Sequence, residues 1–178
     1  MAQDLTESQA PTKPSLPPQL RSLVTAEIVD SFGPYGWEPK EKPWRKPAVI
    51  TAEQAEAAKA ALPAYDAFLA APSVEWISGR IATLMVHYFV ADMPVALAGA
   101  VLHDWVDILG DLPQHAIAEA CRKWLRLEPR KRPTPGDIRA LAMDKVGDEI
   151  KTRDRLRVLA TGANSGSVSA ILNFPSSR

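Results

Sequence analysis

An all-α fold is predicted, a compact and mainly antiparallel helical bundle with a long charged C-terminal helix and flexible termini. Three observations predict it. Apolar residues recur at three- and four-residue spacing through most of residues 51–160. Helix-start residues, a hydroxyl or carboxylate followed by proline or by Glu/Gln, recur ahead of these stretches. No run alternates apolar and polar residues for long enough to make a strand.

Taken in order, residues 1–50 read as a Pro-rich, aromatic-containing N-terminal arm and linker. Residues 1–19 hold Pro11, Pro14, Pro17 and Pro18 and little apolar surface, so a mobile arm is expected. In 19–32, Leu20, Leu23, Val24, Ile28, Val29 and Phe32 suit one face of a short helix ended by Gly33. Residues 33–49 form a connector broken by Pro34, Pro39, Pro43 and Pro47. With Phe32 at its edge, it carries Tyr35, Trp37 and Trp44 beside Lys40, Lys42, Arg45 and Lys46. A linker has no need of aromatics. They either strap across the helical core, the preferred reading, or anchor in a partner's pocket.

Residues 51–161 read as a helical domain. Thr51-Ala52-Glu53-Gln54 is a capping box opening an Ala-rich helix to about Leu62, where Pro63 interrupts it. Ser73 caps a helix to about Val90, with Val74, Ile77, Ile81, Leu84, Met85 and Tyr88 on its apolar face. Asp92-Met93-Pro94 and Asp111-Leu112-Pro113 are two similar starts, read as shared cap chemistry. The first helix carries Ala98, Val101, Leu102, Trp105, Ile108 and Leu109 inward; the second carries Ile117, Ala120, Cys121, Trp124 and Leu125. The last helix starts at Thr134-Pro135-Gly136-Asp137, with Thr134 as N-cap, and runs to Ala160. Its far half, crowded with Lys151, Arg153, Arg155 and Arg157, is expected to project from the core or to serve as an assembly or partner-binding arm. Residues 162–178 read as a flexible tail, with Val168–Phe174 apolar enough for a short docking peptide.

The chain of 178 residues has no net charge, but its charge is uneven. Residues 122–157 hold 12 Lys/Arg against 6 Asp/Glu, and residues 1–121 hold 8 against 15. A basic segment of this kind points to a polyanion or an acidic partner surface, or is simply a solvated face. The single cysteine excludes an internal disulfide framework and fits a reducing compartment. With no basic-then-apolar leader and no long apolar run, a cytoplasmic protein without membrane contact is expected.

No catalytic site is expected. Neither a Walker loop nor a G-x-G-x-x-G turn is present. His87, His103 and His115 are scattered, and His103 with Asp107 makes two ligands where zinc takes three or four, so no metal and no cofactor is expected. Cys121 falls on an apolar helix face with no histidine one turn away, a small hydrophobe and not a nucleophile. The candidate binding residues are therefore cations: Arg122, Lys123 and Arg126 on one helix, Arg130, Lys131 and Arg132 in the loop, and Arg139 on the next helix. They suit phosphate positioning or an acidic protein surface. The connection of about Leu127 to Thr134 is long for a DNA-reading helix-turn-helix, which makes sequence-specific reading the weaker option.

Asp92-Met93-Pro94, the Trp105 helix, Leu112-Pro113, Ala116-Ile117, Ala120, Trp124-Leu125 and then Arg132-Pro133-Thr134-Pro135-Gly136-Asp137-Ile138-Arg139 follow one another in a familiar order. Over roughly residues 75–145 the chain resembles the helicase loader and inhibitor proteins of phages, ATPase-free partners of the hexameric replicative helicase. The resemblance implies a helical domain joined to a flexible segment that contacts the helicase, bringing it to an initiator or holding it inactive. It transfers no catalytic residue. The expected function is a non-enzymatic adaptor in phage DNA replication. The alternatives are a nucleic-acid-binding phage regulator or packaging component that uses the basic corner of residues 122–139, and a small inhibitor of a host enzyme.

Overall fold

A computed structural model describes residues 11–88, 94–128 and 130–162. Among them the chain forms six helices and one two-stranded antiparallel sheet. The sheet corrects the all-α expectation: the fold is mixed, though mostly helical.

The short helix expected over 19–32 is confined to α1 (Pro18–Val24), and the chain then turns into β1 (Ile28–Gly33) and β2 (Gly36–Glu41). The leucine spacing up to Val24 is genuinely helical, and β-branched Ile28-Val29 lies beyond it. The Pro34–Tyr35 turn reverses the chain, and Gly36 takes φ +118°, which glycine adopts without a Cβ clash. Pro39 does not forbid the strand. The Lys42 N–H donates to the Glu27 carbonyl at 2.8 Å. Counting in alternation along the register from that pair puts Pro39, opposite Asp30, at a site with no inter-strand bond. Proline there costs the ladder nothing and removes a donor from the outer edge.

α2 (Ala52–Phe68) opens with the expected reciprocal box between Thr51 and Gln54, but runs straight through Pro63. The lost hydrogen bond is offset by burial on both sides of the proline, Ala55 and Ala58 before it and Tyr65 and Phe68 after it. α3 (Val74–Met85) starts at the Ser73 cap and stops short of Val90. α4 (Val95–Leu109) and α5 (Gln114–Leu127) have Pro94 and Pro113 as N-caps, and neither start has a side-chain cap bond. The expected carboxylate cap is therefore not made at α5: Asp111 turns instead to Arg139, 2.8 Å away. Asp92 lies outside the described residues.

α6 (Pro135–Ala160) is the spine. Its first half supplies Ile138, Ala142 and Val146 to a core shared with α3, α4 and α5. Its far half does not project. Leu156 and Leu159 are fully buried in a second cluster with Leu20 and Val24 of α1, Ile50, and Ala55, Ala58 and Tyr65 of α2. Charge crowding hid this face, because the cations lie on the other sides of the helix and their stems flank the buried leucines. The tail from residue 163 onward, with Val168–Phe174, lies outside the described residues.

Candidate functional site

Two surfaces hold the residues singled out by sequence, and the structure treats their members unequally. The first is the corner between α5 and α6. Trp124, buried on the last turn of α5, donates its Nε1–H to the Lys131 carbonyl at 3.0 Å, and Lys131 Nζ sits 5.3 Å from the centre of its ring. One indole thus pins the loop through a hydrogen bond and a cation–π contact. The Thr134 cap then starts α6: the Asp137 N–H donates to Thr134 Oγ1 at 3.3 Å, and the Thr134 N–H donates back to Asp137 at 2.9 Å. Those bonds to the Thr134 backbone and hydroxyl hold the Asp137 carboxyl below its ordinary range.

Of the seven candidate cations, three are engaged within the chain. Arg122 pairs with Glu119 at 2.9 Å, Lys123 with Asp144 at 3.0 Å, and Arg139 reaches both Asp111 and the Ile108 carbonyl. The Arg139 guanidinium holds the Asp111 carboxyl low, and Arg122 does the same for Glu119. Arg139 is therefore a clamp between the α4–α5 connection and α6. Arg126, Arg130 and Arg132 are exposed and make no hydrogen bond or ion pair among the described residues. Lys131 keeps its ammonium on Trp124. The free basic surface is thus narrower than the sequence implied.

The second surface is the hairpin. Trp44 does not belong to it. Its Nε1–H donates to the Leu23 carbonyl at 2.8 Å and the Arg155 guanidinium lies 5.7 Å from its ring centre, so it straps α1 to α6. Tyr35 and Trp37 behave otherwise, 95% and 74% exposed. Phe32 joins them at 72% exposure and meets Trp37 edge to face, with ring centres 5.6 Å apart. The register explains the pair: Phe32 and Trp37 are direct cross-strand partners, and the same alternation makes theirs a site without inter-strand bonds, where side chains approach closely. Ile28, two alternations back on the same face, is exposed as well.

An isolated two-stranded ribbon is marginal in water. This one is tied at its base by Glu41, which accepts from Lys151 at 3.1 Å and Arg155 at 3.0 Å on α6, and by the Glu27–Lys42 pair at 3.0 Å. Those cations hold the Glu41 carboxyl low. Residues 27–42 carry Glu27, Asp30, Glu38 and Glu41 against Lys40 and Lys42, an acidic balance that disfavours nucleic-acid phosphates. Sequence reasoning counted Phe32 among the linker aromatics but missed the hairpin that pairs it with Trp37, and it missed Glu41 as the tether. The Gly33-Pro34-Tyr35-Gly36 turn was the signal for the first; nothing local announced the second.

Cys121 and the His103–Asp107 pair lie apart from both surfaces. Cys121 is fully buried, and burial pushes its thiol up against the opposing effect of Arg80. His103 Nε2 lies 3.4 Å from Asp107, and no group of three or more potential metal ligands occurs among the described residues. No described helix is long and apolar enough to cross a membrane. In comparisons with known proteins, no family model, no curated protein and no solved structure matches the chain.

Proposed function

We propose that the chain is a non-enzymatic adaptor that binds another protein, and that its partner is the hexameric replicative helicase of phage or prophage DNA replication. The observation that carries the protein-binding reading is the hairpin. Three aromatics of the kind that dominate protein interfaces stand in solvent on a ribbon fixed to the longest helix. Aromatics held this way lose little conformational freedom on docking, because the ribbon is ordered before the partner arrives. The choice of helicase rests on the resemblance over roughly residues 75–145.

Affinity capture with the full chain from host lysate, followed by mass spectrometry, tests both parts. A hexameric ATPase is the expected catch, lost when Tyr35 and Trp37 are both replaced by alanine, while the circular dichroism spectrum stays unchanged. Capture of nucleic acid alone, or of an unrelated enzyme, sinks the helicase reading.

Direct binding of nucleic-acid phosphates is the second reading, favoured by Arg126, Arg130 and Arg132, which lack intramolecular ion pairs among the described residues. It predicts a DNA affinity that falls steeply between low and moderate salt, with a slope set by about three phosphate contacts. Reversing Arg130, Lys131 and Arg132 to glutamate should abolish that binding and leave folding intact. If the reversal removes helicase capture instead, the loop is part of the protein interface.

A further inference from the structure

α4 presents an arrangement that neither surface above accounts for. Residues Val95–Leu102 contain no charged and no hydrogen-bonding side chain. Over one complete turn, Leu97, Ala98, Gly99 and Ala100, every residue is exposed, so among the described residues nothing covers this turn on any side, while Val101 just beyond it is half-buried at the edge of the core. Leu97 is 52% exposed, and a Cβ built on Gly99 would meet nothing within 4 Å. Helices apolar all round are normally buried. Trp105 and Leu109 of the second half reach the core as expected, whereas Ala98 and Ile108, expected on the same inward stripe, are exposed because the core covers a narrower sector of the helix.

We infer that a second copy of this chain covers the face, through an antiparallel pairing of α4 with the same helix of the partner. The pattern is self-complementary. Pro94, Leu97, Val101 and Asp104 follow at spacings of three, four and three, symmetric about Gly99, and successive steps of 100° keep them on one side of the helix. A two-fold axis through that point sets Leu97 against the partner's Val101, and the reverse, as an isologous contact requires. It also sets Asp104 beside the partner's Pro94, where α4 begins.

Charge complementarity selects this occupant. The N-cap of α4 is Pro94, whose side chain cannot cap, so among the described residues no side chain meets the first-turn N–H groups at the positive end of the helix dipole. Asp104 is exposed and makes no hydrogen bond or ion pair among the described residues. Each copy holds the uncapped start and the uncommitted carboxylate, ten residues apart, and antiparallel pairing joins them twice. One seam of about three turns is short against the roughly 1,200–2,000 Å² of a standard interface. The dimer is therefore expected to dissociate in the micromolar range.

Sedimentation equilibrium of the full chain from about 1 to 300 μM tests the inference. The wild type should pass from monomer to dimer across that range. Leu97→Glu, at an exposed position that folding does not need, should keep it monomeric with an unchanged circular dichroism spectrum. Asp104→Asn should raise the dissociation constant about three- to thirtyfold, the effect of two carboxylate–dipole contacts. A chain monomeric throughout overturns the inference. So does a dimer that Leu97→Glu leaves intact, or one broken only by the hairpin substitutions Tyr35→Ala and Trp37→Ala. Because helicase capture is read separately, the two proposals stand or fall apart.

Discussion

Trp124 shows how much one side chain decides at the basic corner. Its ring is buried against the core, its Nε1–H fixes the Lys131 carbonyl, and its face holds the Lys131 ammonium. Trp124→Phe keeps most of the packing and removes the hydrogen bond, so it should cost about 1–2 kcal/mol in chemical denaturation. Thr134→Ala removes the cap and should cost about 1 kcal/mol. Acid acts on the same corner. Asp137, Asp111 and Glu119 all have folded-state carboxyls held below their ordinary values, by Thr134, Arg139 and Arg122. A depressed folded value means stability that is complete above the unfolded carboxylate range, near pH 4, and is lost as pH falls through the lower folded values. Melting temperature should therefore hold steady from pH 7 to about pH 5 and decline below about pH 4. In Asp111→Asn that decline should be shallower, from a lower starting value at pH 7.

The hairpin is the element on which the functional reading turns, and ion pairs from Glu41 tie its base to α6. Glu41 is exposed and sits at the base of the ribbon, so replacing it should barely change global stability. Glu41→Gln should instead speed amide exchange across residues 28–41 while leaving α2 and α6 protected, a local opening that hydrogen exchange reads directly. Unchanged exchange in the ribbon would mean that the turn and the Phe32–Trp37 pair suffice. Helix starts were largely legible in sequence. The Thr51, Ser73 and Thr134 caps are local hydrogen bonds between residues three apart, and all three form. The hairpin was not legible, because Leu20, Leu23, Val24 and Ile28 also fit a helix and the competing strand needed a partner beyond a turn containing proline.

At the scale of the molecule, α2 and α6 run antiparallel past one another, with Ile50 beside Gly162 at one end and Phe68 near the first half of α6 at the other. They tie two apolar clusters into one body. Leu156→Ala opens a cavity in the smaller cluster and should cost about 2–5 kcal/mol. If the clusters unfold as a unit, thermal unfolding stays a single transition at lower temperature; a separate early transition would show that α1 and the far half of α6 melt independently. Lys13, paired with the buried Glu149, ties the stretch just ahead of α1 to the same body.

By itself, the sequence determined where the helices begin, that Cys121 is packed and shielded, and that residues 122–139 concentrate positive charge. These are local properties, set by neighbours within one or two turns. Only the tertiary structure decided which charges remain for a partner, because Asp111, Asp144 and Glu41 meet their cations across 21 to 114 residues of chain. It likewise decided that Trp44 is a strap while Phe32, Tyr35 and Trp37 stand in solvent. Residue type sets what a side chain can do; which groups the fold places within about 4 Å of it sets what it is left free to do.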